Sequence, residues 1–204
     1  MNETARPKGL LPAIGIGICA LAVGIWAGLQ LNAPVTTPES SCNAVTVLPT
    51  PRALPELELT NQDAATVGRE AFEGRWSLVF MGFTSCGHVC PMAMAEIRSI
   101  HDQVAEPVDV VFFSVDPNRD TPEKLKAYVE GYDKSFRGMT GTPEQIESFA
   151  NTLGAPYFVD TNPDNYVVDH SSAVFVIDPS ASLAGVISQP FEIDTIVTEL
   201  NALL

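Results

Sequence analysis

The sequence predicts an α/β fold, a mixed sheet flanked by helices, preceded by one N-terminal transmembrane helix. Three observations predict it. Residues 9–31 carry no charge, and about 20 apolar residues span a bilayer as one helix. Trp76–Phe83, Val108–Val115 and Ala173–Ile177 are nearly continuous apolar runs, as expected of central strands covered on both faces. Between these runs apolar residues recur at helical spacing, and alternating strands and helices make a layered α/β domain.

Residues 1–8 form a short head carrying Arg6 and Lys8. Its charge keeps it cytoplasmic and puts the rest of the chain outside. A cleaved signal peptide has a shorter apolar core, about 7–15 residues. Pro34 follows the one tempting cleavage site at Ala33, so an uncleaved anchor over residues 9–31 fits better. Residues 32–54 hold Pro34, Pro38, Pro49 and Pro51 among Thr and Ser. That composition reads as an extended linker. Residues 55–204 then make one domain of ordinary size.

Within the domain, Leu57-Glu58-Leu59 alternates as a short strand, and Asn61-Gln62-Asp63 is a turn. The first apolar run ends at Phe83-Thr84-Ser85-Cys86-Gly87-His88-Val89-Cys90-Pro91. Proline is comfortable at the first helical position, so the next helix is expected to begin at Pro91, with Cys90 at its cap. Ala93, Ile97, Ile100 and Val104 continue it. Leu125, Tyr128, Val129 and Tyr132 mark a second helix, and Ile146, Phe149, Ala150 and Leu153 a third. Thr121-Pro122-Glu123 and Thr142-Pro143-Glu144-Gln145 are helix starts with Thr as cap and Pro in the first turn. Gln145 would complete a capping box. Tyr157–Val159 and Tyr166–Val168 are short extended pieces about a turn. Ala173–Ile177 and Leu183–Ile187 read as a hairpin, and Ile193, Ile196, Val197, Leu200 and Leu204 as a closing amphipathic helix.

The net charge is −14, and its acidity lies beyond the apolar span. That excludes nucleic acid as the natural partner. An acidic surface aids solubility, and it also suits a basic patch on a protein partner. Of the four cysteines, Cys19 falls in the span and Cys42 in the linker. Cys86 and Cys90 carry the chemistry. A thiolate at Cys90, at the helix N-terminus, is expected to have a lowered pKa, which suits redox exchange or metal binding. Three intervening residues, one more than in the usual redox pair, let both sulfurs face one centre, or still close a disulfide. Soft thiolates favour copper(I) or zinc. Two cysteines alone cannot hold an iron–sulfur cluster, which takes four.

A thiol pair opening a helix at the end of a long strand resembles the thioredoxin fold. There the loop entering the third buried strand faces the cysteines, and here that loop holds His170. With Cys86 and Cys90, His170 would make a three-ligand soft site; otherwise it is a surface histidine. His88 sits between the thiols, as an exposed side chain or an aid to thiolate formation. Asp116 and Asp120 follow the second buried strand, where sites collect. They would orient a ligand or accept a proton, or be surface acids. Met92 and Met94 are two apart and cannot share a helix face, so one should be buried and the other partly exposed. His101 reads as a surface residue.

Three stretches together resemble the Sco/SenC family of membrane-tethered copper-binding assembly proteins. They are Gly82–Cys86 through Cys90-Pro91, Ser114-Val115-Asp116-Pro117-Asn118-Arg119-Asp120-Thr121-Pro122, and Tyr166-Val167-Val168-Asp169-His170-Ser171 with Ile177-Asp178-Pro179. The resemblance implies a thioredoxin-like fold binding one copper through Cys86, Cys90 and His170. It implies a metallochaperone more than an enzyme. The copper would go to the dinuclear copper centre of a haem–copper oxidase, with the oxidase subunit as recipient. Other periplasmic copper chaperones or thiol reductants would be further partners. The domain would sit on the periplasmic side of a bacterial inner membrane. The alternative is a thiol–disulfide oxidoreductase in which Cys86 and Cys90 reduce the cysteines of a partner's copper site. A peroxidase using Cys86 alone lacks the Pro and Thr expected ahead of it. The family commonly has Pro and then an acidic residue after the first cysteine, where this chain has Gly87 and His88.

Overall fold

A computed structural model of the chain describes residues 44–204 except Pro163. The expected head and anchor, Cys19 and Cys42 lie outside the described residues. Among the described residues no helix is long and apolar enough to cross a membrane.

Eight strands form one mixed sheet. They are β1 (Val45–Ala53), β2 (Leu59–Asn61), β3 (Thr66–Val67), β4 (Ser77–Gly82), β5 (Asp109–Ser114), β6 (Arg137–Gly141), β9 (Val174–Asp178) and β10 (Ser182–Ile187), in the order β1-β10-β9-β4-β5-β6-β2-β3. The core strands β4, β5 and β6 run parallel, and β9 runs antiparallel to β4. Each parallel crossover carries a helix: α1 (Val89–His101) between β4 and β5, and α2 (Pro122–Glu130) between β5 and β6. The helix α3 (Pro143–Leu153) follows β6, and α4 (Ile193–Leu203) closes the chain. A separate two-stranded hairpin, β7 (Tyr157–Asp160) with β8 (Val167–His170), stands outside the main sheet.

Strand alternation builds two cores. Leu78 and Phe80 of β4, with Val110 and Phe112 of β5, pack against Ile97, Leu125, Val129, Ile196 and Leu200 from α1, α2 and α4. Val79, Met81, Val111 and Phe113 face Ile146, Phe149 and Leu153 of α3 with Phe72. Both faces of β4 are therefore buried, as its continuous apolar run predicts.

Several expectations change, among them the first short strand, which spans Leu59–Asn61 instead of Leu57–Leu59. Residues 45–53, expected as part of the linker, are an edge strand paired antiparallel to β10. The register of β1 shifts between Val47 and Arg52, where Pro49 and Pro51 cannot donate to the ladder; proline is tolerated on edge strands and at bulges. The helix α1 starts at Val89, with His88 at its N-cap, two residues before the position expected from Pro91. The first four N–H groups of a helix have no intrahelical acceptor, so Pro91 costs nothing at the third position. Finally, Thr121 and Thr142 cap α2 and α3 as expected. The Gln145 side chain, however, accepts from the Glu58 N–H at 3.1 Å instead of completing a capping box.

Met94 is buried and Met92 is 65% exposed, the division their spacing requires. His101, expected at the surface, is half-buried with its ring edge-on to Phe136 at 5.2 Å.

Candidate metal centre

The site forms where β4 ends. Gly82 closes the strand, and its missing side chain is needed. A Cβ there would lie 2.8 Å from Cε2 of Phe112 and 3.2 Å from Cys90 Sγ. The next residues turn, with the Cys86 N–H donating to the Phe83 carbonyl at 3.2 Å. Because α1 begins at Val89, Cys90 lies in its first turn with an N–H free of helical bonding, and that N–H donates to Cys86 Sγ at 3.4 Å.

The two thiols differ in kind. Burial pushes Cys90 up to about 12, aided by its contact with Cys86. Cys86 is half-buried, and that burial raises its pKa. Hydrogen bonds from the Cys90 side chain and from the backbone N–H groups of Cys90, His88 and Val89 outweigh it, so Cys86 lies below the ordinary thiol range. This is the helix-start effect expected from the sequence, but it acts on Cys86, outside the helix. Cys90, inside it, is governed by burial.

His170 is the last residue of β8, and residues 171–173 lead from it into β9. Its Nε2 lies 3.2 Å from Cys90 Sγ. Its Nδ1 lies 2.8 Å from the Ser171 carbonyl, which accepts only from a protonated nitrogen. That contact assigns the Nδ1–H tautomer and leaves the Nε2 lone pair facing sulfur. Phe80 and Phe83 stand edge-on to the ring, at 5.9 and 5.8 Å. Donor atoms of Cys86, Cys90 and His170 all fall within 4.8 Å of one another. Two sulfurs and a neutral imidazole are a soft donor set. They fit copper(I), which three such ligands satisfy, better than hard cations that require oxygen.

The other candidates lie around this cluster. His88 is exposed and makes no side-chain cap bond. Asp116 and Asp120 are both buried. Asp120 accepts from the Thr84 N–H at 2.8 Å, and from the Thr84 and Ser114 hydroxyls at 2.6 Å each. It ties the start of the cysteine loop to the end of β5. Asp116 accepts from the Tyr166 hydroxyl at 2.5 Å and from Arg119 Nε. The Arg119 guanidinium lies 3.9 Å from the Tyr166 ring centroid and 5.6 Å from that of Phe83. Sequence reasoning gave no site role to Gly82, Thr84, Ser114, Arg119 or Tyr166, although all five lie in the three stretches that carry the family resemblance. One signal was available: a strand-end acid unexplained by capping, as Asp120 is, needs donors from elsewhere.

Comparison with known proteins agrees with this geometry. The SCO1/SenC family profile matches residues 47–204. A protein of Stutzerimonas stutzeri whose name refers to copper binding is 36% identical over 165 residues, covering 78% of this chain and 81% of that protein. The solution structure of apo Sco1 from Thermus thermophilus superposes with a TM-score of 0.70 at 31% identity, covering 79% of this chain and 96% of that one. Arabidopsis thaliana ScoI, crystallised with copper bound, gives 0.67 at 27% identity over 72% of this chain and 95% of its own. The mixed sheet with its thiol pair at the end of a central strand is a thioredoxin-like Sco fold, and this chain belongs to the SCO1/SenC family.

Proposed function

We propose that this chain is a copper-binding assembly factor that helps build the dinuclear copper centre of a haem–copper oxidase. One observation carries the reading: Cys86, Cys90 and His170 bring two sulfurs and one imidazole nitrogen within 4.8 Å of one another. A relative crystallised with copper bound shares the fold. Cys86, Cys90 and His170 would hold the metal, and the metal is cargo rather than a reagent. Cys86 stands at the half-exposed edge, where a recipient's ligand can approach. Cys90 closes the site from within, and Phe80 and Phe83 pack against the half-buried imidazole. The recipient is an oxidase subunit, and other periplasmic copper chaperones or thiol reductants supply or reset the site. Residues 9–31 tether the domain to a bacterial inner membrane, with the domain on the periplasmic side.

The test is copper content and spectrum of the reduced domain beside His170→Ala. Wild type should bind one copper per chain with an intense thiolate-to-copper(II) absorption. If His170→Ala keeps that band and stoichiometry, the three-ligand reading fails.

The contrast between the thiols favours a second reading, a thiol–disulfide oxidoreductase. A half-exposed thiol of lowered pKa beside a buried one of raised pKa is the pattern of an attacking and a resolving cysteine. Reduction of insulin or glutathione disulfide by the metal-free domain tests it, and rates near background count against it.

A further inference from the structure

The ligand His170 stands on an element that is not hydrogen-bonded into the main sheet. The hairpin of β7 and β8 pairs only with itself, and the Ser171 N–H closes its base on the Pro156 carbonyl at 3.0 Å. Tyr157 and Val168 rest the hairpin's inner side on the second core, but that apolar contact alone does not set where the imidazole points. The outer end of β8 supplies the rest. Tyr166, just before the strand, donates its hydroxyl to Asp116 at 2.5 Å. Asp116 is fully buried, accepts from Arg119 as well, and its own N–H donates to Ser114 Oγ at 3.1 Å. Arg119 packs flat on the Tyr166 ring and reaches the Phe83 ring. Phe83 in turn stands edge-on to His170 at 5.8 Å and 82°.

Two routes thus run from the Asp116 carboxylate to one imidazole. The first passes through Tyr166 and along β8, four residues or about 13 Å of strand. The second passes through Arg119 and Phe83 to the ring itself. A pair of anchors, one on the backbone and one on the side chain, fixes both the position and the tilt of His170.

We propose that Tyr166 and Arg119 are positioning residues for His170, clasping its hairpin to the loop after β5 so that Nε2 meets the two sulfurs. The proposal rests on the three-ligand reading above. Neither residue touches the metal; both act through the imidazole. Partners that orient a ligating histidine typically govern 10–100-fold of metal affinity.

The experiment is a cycle of four reduced domains: wild type, Tyr166→Ala, His170→Ala and the double variant. Copper(I) affinity is measured by competition with a chromogenic bicinchoninate chelator, with copper(II) absorption recorded in parallel. Tyr166→Ala should weaken copper(I) roughly tenfold or more and shift the thiolate band. In the His170→Ala background the same change should add nothing. Tyr166→Phe, which keeps the ring on Arg119, should fall between wild type and Tyr166→Ala and guards against simple misfolding. The metal-free domain gives an independent reading: the His170 Nδ1–H, bonded to Ser171, should give a sharp nitrogen-correlated proton resonance that broadens in Tyr166→Ala. The clasp is overturned if Tyr166→Ala keeps wild-type affinity and band, if it weakens copper equally with and without His170, or if the Nδ1–H signal is unmoved. Loss of the three-ligand reading shows itself differently, as identical copper binding by wild type and His170→Ala.

Discussion

Cys90 Sγ lies 3.2 Å from His170 Nε2, across 80 positions of chain. With Nδ1–H donating to the Ser171 carbonyl, the neutral ring turns its Nε2 lone pair towards that sulfur. The Cys90 thiol has one proton and two acceptors for it, that nitrogen and the Cys86 sulfur.

Loading the site must therefore expel protons. Cys90, pushed up to about 12, is protonated at neutral pH, while Cys86 lies below the ordinary thiol range and ionises first as pH rises. Ligands must be deprotonated to bind metal, so copper(I) binding at pH 7 should release about one to two protons. The count should fall towards one as pH rises and Cys86 ionises beforehand, while apparent affinity increases. Calorimetric titration in buffers of different ionisation enthalpy measures it. Release well below one proton would show that Cys90 does not bind as a thiolate.

The same asymmetry orders the reactivity of the thiols. The thiolate is the nucleophile, so iodoacetamide should label Cys86 first, with a pH midpoint below 9, and Cys90 only in unfolded protein. Stability follows with opposite signs. The Cys86 contribution grows as pH rises through its lowered pKa towards the unfolded value. The Cys90 contribution is full below the unfolded value near 9 and is lost as pH climbs towards about 12. Peptide mapping after timed alkylation, with denaturant melts at several pH values, checks both. Equal labelling of the two cysteines would contradict it.

How much of this was legible depends on the range of the contacts. The buried strands β4, β5 and β9 read directly from unbroken apolar runs, and Cys86, Cys90 and His170 from residue type and place in the layer order. The strand β6, Arg137–Gly141, was not legible: two glycines in five residues hide a buried parallel strand. The proline pair hid β1. The start of α1 was misread because Pro91 fits any of the first helical positions, not only the first. The roles of Asp116 and Asp120 were out of reach for another reason. Whether a loop acid is buried depends on donors such as Tyr166, 50 positions away, and Thr84, 36 away.

Gly82→Ala tests how closely β4 approaches the site. The new methyl would press Phe112 at 2.8 Å and the Cys90 sulfur at 3.2 Å. Overpacking of this kind costs about 1–3 kcal/mol, and Cys90 is the lighter of the two obstacles to move. Chemical denaturation should show that loss together with weakened copper binding. A variant as stable as wild type, with unchanged copper affinity, would mean that the sheet yields freely there.

Gly87 gives the opposite expectation. A Cβ at this position would meet nothing within 4 Å, and its backbone is not in the left-handed region. Gly87→Ala should fold, bind copper as wild type does, and gain about 0.4–1 kcal/mol by restricting the unfolded chain. A loss of stability or of copper would show that the loop needs glycine's freedom during binding.

Asp120 is the sharpest test of the loop's anchoring. Its carboxylate is 1% exposed and accepts three hydrogen bonds, two from Thr84 and one from Ser114. Hydrogen bonds to a charged acceptor are worth about 1.5–3 kcal/mol. Asp120→Ala leaves three donors facing a void, and each buried orphan adds about 1–3 kcal/mol of penalty. The loss should therefore exceed that of an ordinary substitution, at about 3 kcal/mol or more for three orphaned donors. Asp120→Asn keeps the shape and can still accept, but its NH2 group must face a donor, so it should lose less. The consequence reaches the metal because Thr84 lies two residues before Cys86. Both variants should weaken copper(I) in the order of their stability losses, with Cys86 alkylation accelerated as the loop loosens. Denaturant melts and chelator competition on the same preparations decide it. If Asp120→Ala unfolds like wild type, or loses stability with full copper affinity, the carboxylate does not hold the cysteine loop.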